Sequence, residues 1–529
     1  TTRLVGSEMC IRDRLWEVIM KNKEQGKKRI AFKKGIISMV FSRFGIVLVL
    51  LALQILVLLG IFLKFSQLAP HYYIISAVFY IFMITVIVNS DHDASSKITW
   101  LTIMAFLPIF GALLYIYTTV DIGHRVLKKK VTHILKNTKN KITQDKSVID
   151  KAEEICPDVA DLNYYLNKSG RFPLYENTDV TYYPIGEKMF QSMLVELDKA
   201  KDFIFMEYFI VDDGYMWDNI LEVLIKKANE GVDVRVMYDG TCEFALLPRT
   251  YPSSLEKLGI HCKVFSPVSP FISTHYNYRD HRKIMVIDGK TAYNGGINMA
   301  DEYINYTHKY GHFKDVGVML KGDAVDSFTL MFLQMWSVNE RHCDFSKYLN
   351  VGNSLSAGGY FSNGFVMPFG DCPLDEYDVG KSVYMDILNR AKDYVYIMTP
   401  YMIMDGELEN SLTFSAERGV DVRIILPHIS DSFVAQALAK THYKKLLDAG
   451  VKVYEYTPGF VHAKVFVSDD VKSVVGSINM DYRSLYHHFE CATYMYGTRC
   501  IDDIKSDYKD TLAKCQHCLL YTSDAADDK

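Results

Sequence analysis

Hydrophobic and polar positions divide the chain into two regimes. Residues 45–118 hold three long apolar runs, whereas from about residue 171 short β-type runs alternate with helical stretches. The first run, Gly45 to Leu63, is 19 residues with one glutamine and no charge, long enough to span a bilayer as a helix. Tyr72 to Val88 is a second run of 17, at the short limit, and Ile98 to Thr118 is a third, interrupted by Pro108 and Gly111. Residues 15–120 are therefore expected to form a basic segment and membrane anchor, and the Lys-rich residues 121–170 a helical linker. The alternation beyond predicts an α/β domain.

Charge placement complicates the topology. Lys21, Lys23, Lys27, Lys28, Arg29, Lys33, Lys34 and Arg43 precede the first run, and Arg125, Lys128, Lys129 and Lys130 follow the third. The loops between carry only Lys64 and Lys97. Positive flanks favour the cytoplasmic side, which needs an even number of crossings, yet three runs give an odd one. The expectation is a multi-pass cell-membrane protein whose domain after the runs is cytoplasmic, with one run that does not fully cross. The N-terminal cluster would also attract anionic lipid.

Within the α/β region the chain repeats itself. Ala200-Lys-Asp-Phe matches Ala391-Lys-Asp-Tyr, and Gly231-Val-Asp-Val-Arg235 returns unchanged as Gly419-Val-Asp-Val-Arg423. Residues 171–350 and 351–510 thus read as two related halves, α/β/α in layering, able to pack about a pseudo-twofold axis. The strongest repeat is His281-x-Lys283-x-x-x-x-Asp288 against His462-x-Lys464-x-x-x-x-Asp469. Each copy is followed 17 positions after its histidine by an asparagine, in Gly295-Gly296-Ile-Asn298 and Gly476-Ser477-Ile-Asn479.

Alternation along a strand puts His281 with Lys283, and His462 with Lys464, on one face. If the halves face each other, two imidazoles and two ammonium groups converge, a set suited to a phosphodiester. The lysines, Asn298 and Asn479, with Gly296 and Ser477 of the same turns, are expected to hold the substrate's non-bridging oxygens. One imidazole can attack phosphorus while the other serves as acid and then base. Asp288 and Asp469 read as support that orients the opposing imidazole, the alternative being a strand-ending turn at Asp288-Gly289. The scheme needs no metal and no other cofactor. No Walker loop, G-x-G-x-x-G or H-E-x-x-H appears. Cys515-x-x-Cys518 has no second pair and is not read as a zinc site.

The net charge of −4 argues against a nucleic-acid partner. Scattered cysteines fit a reducing compartment. At 529 residues the chain allows roughly two to four domains. Residues 1–14 and 511–529 are set apart, because Gly6 to Arg14 and Cys518 to Asp528 resemble translated sequencing-library adaptor.

The duplicated motif resembles the phospholipase D superfamily, and residues 45–505 are similar to its bacterial cardiolipin synthases. The closer likeness rests on Leu107-Pro108-Ile-Phe-Gly111, Asn277-Tyr-Arg-Asp-His281, Gly295-Gly296-Ile-Asn298-Met-Ala-Asp-Glu302, Thr399-Pro400-Tyr401 and Gly459-Phe-Val-His462. The resemblance implies two phospholipase D-like halves that move a phosphatidyl group between two phosphatidylglycerol molecules, giving cardiolipin and glycerol. It also implies that His281 is the nucleophile and His462 the acid/base. Phe271, Tyr276, Tyr278, Tyr401 and Phe460 are candidates for lining a lipid groove. The rival reading is a membrane-anchored phospholipase D that hydrolyses or transphosphatidylates other phospholipids.

Overall fold

The computed structural model describes residues 43–64, 69–90, 94–119, 122–267, 278–340, 344–349 and 364–518. The basic cluster at 21–34, the adaptor-like stretches at 6–14 and 519–528, and the groove candidates Phe271 and Tyr276 lie outside these residues. The chain divides into two compact units, one holding the N-terminal helices and the other running from Lys130 onward.

In the first unit the apolar runs become four helices: α1 (Arg43–Lys64), α2 (Ala69–Val88), α3 (Ala94–Phe106) and α4 (Pro108–Thr119). The third run is therefore not one helix. Pro108 opens α4, where its missing N–H leaves no bond unmade. At this break the chain folds back, so that Trp100 of α3 meets Tyr115 of α4 edge to face at 5.4 Å. Gly111 makes the close approach possible, since a β-carbon there would stand 3.0 Å from the Met104 backbone. The one glutamine of the first run has a partner too: the Phe110 N–H donates to Gln54 Oε1 at 3.1 Å, which satisfies an orphan donor of α4's first turn. At 13 and 12 residues, α3 and α4 are about 20 and 18 Å long, short of the roughly 30 Å hydrocarbon layer. Parts of α1 and α2 lie outside the described side chains, and among the described residues no helix is long and apolar enough to cross a membrane.

The second unit contains both halves of the repeat. The first half supplies β1 (Thr178–Tyr183), β2 (Phe203–Tyr208), β3 (Asp233–Asp239), β4 (His261–Phe265), β5 (Arg279–Asp280), β6 (Lys283–Ile287), β7 (Thr291–Gly295), β8 (His312–Lys314) and β9 (Gly317–Gly322). The second supplies β10 (Phe365–Asp371), β11 (Tyr394–Met398), β12 (Met402–Ile403), β13 (Asp421–Pro427), β14 (Lys452–Tyr456), β15 (Gly459–Val461), β16 (Val465–Ser468), β17 (Lys472–Gly476), β18 (Met480–Asp481), β19 (His488–Tyr496) and β20 (Cys515–His517). One sheet runs β1-β9-β7-β6-β2-β3-β4, and the other runs β10-β19-β17-β16-β11-β13-β14 with β20 beyond. Position for position these are the same mixed sheet, so the sequence repeat is a structural repeat. In β2, β6 and β7, as in β11, β16 and β17, every residue is buried, the pattern of strands covered on both faces. Gly231 and Gly419, at φ +91° and +100°, end the helices before β3 and β13 in a conformation that glycine adopts without strain.

The halves meet through β7 and β17. At their junction the buried Asn294 donates to Lys283 O and to Cys491 Sγ, both at 3.1 Å. Two expected boundaries shift. Residues 146–170, read as linker, form helices Lys146–Ile155 and Pro157–Gly170, whose Ala152, Val159, Leu162 and Leu166 enter the core of the second sheet. The division at 510 falls inside helix Cys500–Leu512, after which β20 pairs with β14.

Candidate active site

Each motif histidine is reached by a short strand that pairs with the other half. β5 runs parallel to the start of β19, matching Arg279 with His488 and Asp280 with Phe489. β15 runs parallel to β8 in the mirrored arrangement. The His281 N–H donates to Phe489 O at 2.9 Å, and the His462 N–H to Lys314 O at 2.8 Å. The residue after each of those carbonyls is a carboxylate. Glu490 meets His281 Nδ1 at 2.9 and 3.0 Å, and Asp315 meets His462 Nδ1 at 2.6 Å. Each imidazole is thus oriented by the opposite half. A carboxylate can only accept, so both contacts put a proton on Nδ1 and leave Nε2 for chemistry.

The lysines lie beside their histidines. Lys283 Nζ donates to His281 O and stands 5.4 Å over the Phe209 ring, while Lys464 Nζ bonds His462 O and lies 2.9 Å from His462 Nδ1. Burial depresses Lys283 to about 8; the same effect, reinforced by Lys283, takes Lys464 to about 7. Burial also lowers His281 to about 3, against the pull of Glu490, and His462 to about 4 with Lys464 adding to it. Burial raises Glu490, but His281 and His488 outweigh it and hold that carboxyl well below the usual range. Charges of one motif are thus felt by the other: Lys283 acts on both His462 and Lys464. Both imidazoles are neutral at neutral pH, and the ammonium groups supply the positive field for an anion. Affinity for a phosphodiester anion such as dibutyl phosphate is accordingly expected to fall as pH rises from about 7 to about 9. Each ammonium lost costs up to about tenfold per pH unit, which calorimetric titration across that range checks.

The structure corrects the roles expected for other motif residues. Asp288 and Asp469 do not touch an imidazole, because seven residues of strand carry them to a turn. Each adopts φ +53°, which aspartate tolerates. Asp288 accepts the N–H groups of Lys201, Asp202 and Phe203 at 2.8–2.9 Å, and Asp469 those of Lys392, Asp393 and Tyr394 at 2.8–3.0 Å. They tie the end of the motif strand to the start of β2 and β11. Asp288→Ala is therefore expected to lower stability by about 2–4 kcal/mol, read from denaturant unfolding, while the folded fraction still turns over.

Asn298 is likewise engaged, accepting from the Ile210 N–H at 3.1 Å and donating to Tyr303 OH at 2.8 Å. Asn479 Oδ1 is buried and bonds none of the described residues. Ser477 Oγ donates to Glu490 Oε2 at 2.5 Å. Gly296 makes room for Asp315, since a β-carbon there would fall 2.1 Å from its carboxylate oxygen. Both turn residues thus shape the orienting carboxylates. Of the groove candidates, Phe460 stacks 5.9 Å from His462, Tyr401 stands 6.4 Å from Phe460 with its hydroxyl on Asp431, and Tyr278 meets His487. Tyr303 and Phe313 complete an aromatic wall around His462.

Glu490, Asp315, Phe209 and His488 were not picked out from the sequence. Matching acidic residues at the strand after each asparagine turn, Phe313-Lys-Asp315 and His488-Phe-Glu490, was the available signal. Among the described residues, His281, His488 and Glu490 are the cluster whose ligand atoms, within 4.8 Å of one another, could hold a metal. The neighbouring Lys283 ammonium opposes a dication there.

Paired α/β halves that each carry a His-x-Lys strand, with each histidine held by the other half's carboxylate, have the architecture of the phospholipase D class. Comparison with known families agrees: residues 193–336 and 384–512 match the cardiolipin synthase, PLD-like domain, and residues 78–117 match the phospholipase D-nuclease N-terminal family. An uncharacterized protein of Streptococcus mutans is 54% identical over 82% of this chain and 94% of its own. The cardiolipin synthase of Alkalihalophilus pseudofirmus is 31% identical over 81% of this chain and 85% of its own, and cardiolipin synthase 2 of Bacillus anthracis 31% over 81% and 82%. The phosphatidylserine synthase of Haemophilus influenzae shares the fold, with a TM-score of 0.52 at 14% identity over 68% of this chain and 91% of that one. The chain belongs to the cardiolipin synthase family of the phospholipase D superfamily.

Proposed function

We propose that the protein condenses two phosphatidylglycerol molecules into cardiolipin and glycerol through a phosphohistidine. The observation that carries this reading is the crossed wiring, in which each half's carboxylate orients the other half's imidazole. His281 Nε2 attacks phosphorus, forming an N–P bond. The P–O bond to the departing glycerol breaks, and its oxygen takes the proton held by His462 Nε2. Arrival of the phosphodiester anion favours that imidazolium form over the neutral one. The acceptor's hydroxyl then gives its proton to His462, its oxygen bonds phosphorus, and the N–P bond breaks. Lys283 and Lys464 balance the charge that grows on the phosphoryl oxygens. Asp288 and Asp469 act on this chemistry only by fixing the strands.

Membrane attachment belongs to the same proposal. Leu56 in α1 and Ile74, Val78, Ile81 and Phe82 in α2 are each more than 60% exposed, an apolar surface suited to lipid. With α3 and α4 folded as a hairpin, two crossings by α1 and α2 would keep both basic flanks on the cytoplasmic side. Purified full-length protein in phosphatidylglycerol vesicles, without nucleotide or metal, is expected to form cardiolipin and glycerol in equal amounts. Phosphatidic acid as the sole lipid product would replace this reading with hydrolysis.

A further inference from the structure

A third imidazole lies beside His281. His488 opens β19 two residues before Glu490, so the pleat puts both side chains on one face. Its ring centre is 5.3 Å from that of His281, and both rings lie against Phe209, at 6.4 and 4.9 Å. The residue is only 8% exposed. Nevertheless its Nδ1 reaches Glu490 Oε1 only at 3.5 Å, an oxygen already bonded to His281, and neither ring nitrogen completes a hydrogen bond with a described residue. Buried polar atoms in that condition are costly, and a native fold keeps few of them. Each motif histidine has its Nδ1 on a carboxylate, whereas His488 completes a hydrogen bond at neither nitrogen among the described residues, so it stands out as available to a ligand.

We propose that His488 contacts the substrate, donating from Nε2 to a non-bridging oxygen of the phosphodiester that His281 attacks. The inference rests on the reading that the pocket holds a phosphodiester. Nδ1 faces Glu490 without closing a hydrogen bond, and the diester's negative charge favours the doubly protonated ring, in which Nε2–H is the donor left for a ligand. Lys283, over the same Phe209 ring, supplies the neighbouring positive charge.

The test uses full-length protein in detergent and dibutyl phosphate, whose single charge does not change near neutral pH. His488→Phe keeps the aromatic contact with Phe209 but can donate no hydrogen bond, whereas His488→Asn retains a donor. Calorimetry is expected to show His488→Phe binding the diester roughly ten- to a hundredfold more weakly, with His488→Asn recovering most of that loss. The unfolding midpoint of both should stay near wild type. Unchanged affinity in His488→Phe would overturn the proposal, as would equal weakening in the two variants. Because binding is read without turnover, failure of the vesicle assay would leave this result interpretable by itself.

Discussion

Replacement of His281 by alanine should abolish phosphatidyl transfer, with kcat down by roughly 10⁴ to 10⁶ and no lipid-linked protein trapped on rapid acid quench. The size follows from the geometry. His281 is held by its own N–H, by Glu490 at Nδ1 and by the Phe209 ring, an orientation that alanine cannot reproduce and that neighbouring His488, with neither nitrogen hydrogen-bonded among the described residues, does not share. Removal of the imidazole also leaves Glu490 buried without its main partner, so some instability should accompany the lost activity. His462→Ala should behave differently, slowing both half-reactions yet still allowing an adduct from a diester with a good leaving group. Equal trapping in the two variants would show that the division of labour is wrong. Mass spectrometry of the quenched proteins reads both results.

The second large effect concerns a residue that never touches phosphorus. Glu490→Gln should lower kcat by about 10³ to 10⁴ with little change in fold, because the side chain keeps its shape while losing its charge. A carboxylate obliges His281 to carry its proton on Nδ1. An amide can rotate its NH₂ toward the ring, move that proton to Nε2 and occupy the lone pair that must attack. Ser477, which donates to Glu490, should show the same effect in weaker form. Steady-state kinetics of Glu490→Gln beside Glu490→Asp would separate lost charge from lost reach.

Much of this architecture was legible in the chain itself. The repeated Gly-Val-Asp-Val-Arg segments marked equivalent helix ends and strands, and the paired His-x-Lys motifs marked the two strands that each carry a histidine and a lysine, because strand alternation fixes which side chains share a face. The orienting carboxylates were not legible. Glu490 lies 209 residues from His281 and Asp315 lies 147 from His462, so only the packing of the halves brings them together. Asp288 and Asp469 drew attention by their spacing, yet that spacing carries them to a left-handed turn, where three backbone donors claim each carboxylate. The third apolar run looked like a span because hydropathy does not register a fold-back. Pro108 and Gly111 were its visible signs, and the contact of Trp100 with Tyr115 gives them their meaning.

One phosphorus between two imidazoles is the assertion on which the chemistry stands, and a crystal structure of the full-length enzyme with orthovanadate addresses it directly. A single vanadium per chain is expected, bonded to His281 Nε2, with His462 Nε2 about 3 Å from the opposite apical oxygen. Two vanadates, one held by each half, or a single one out of reach of His462, would contradict it.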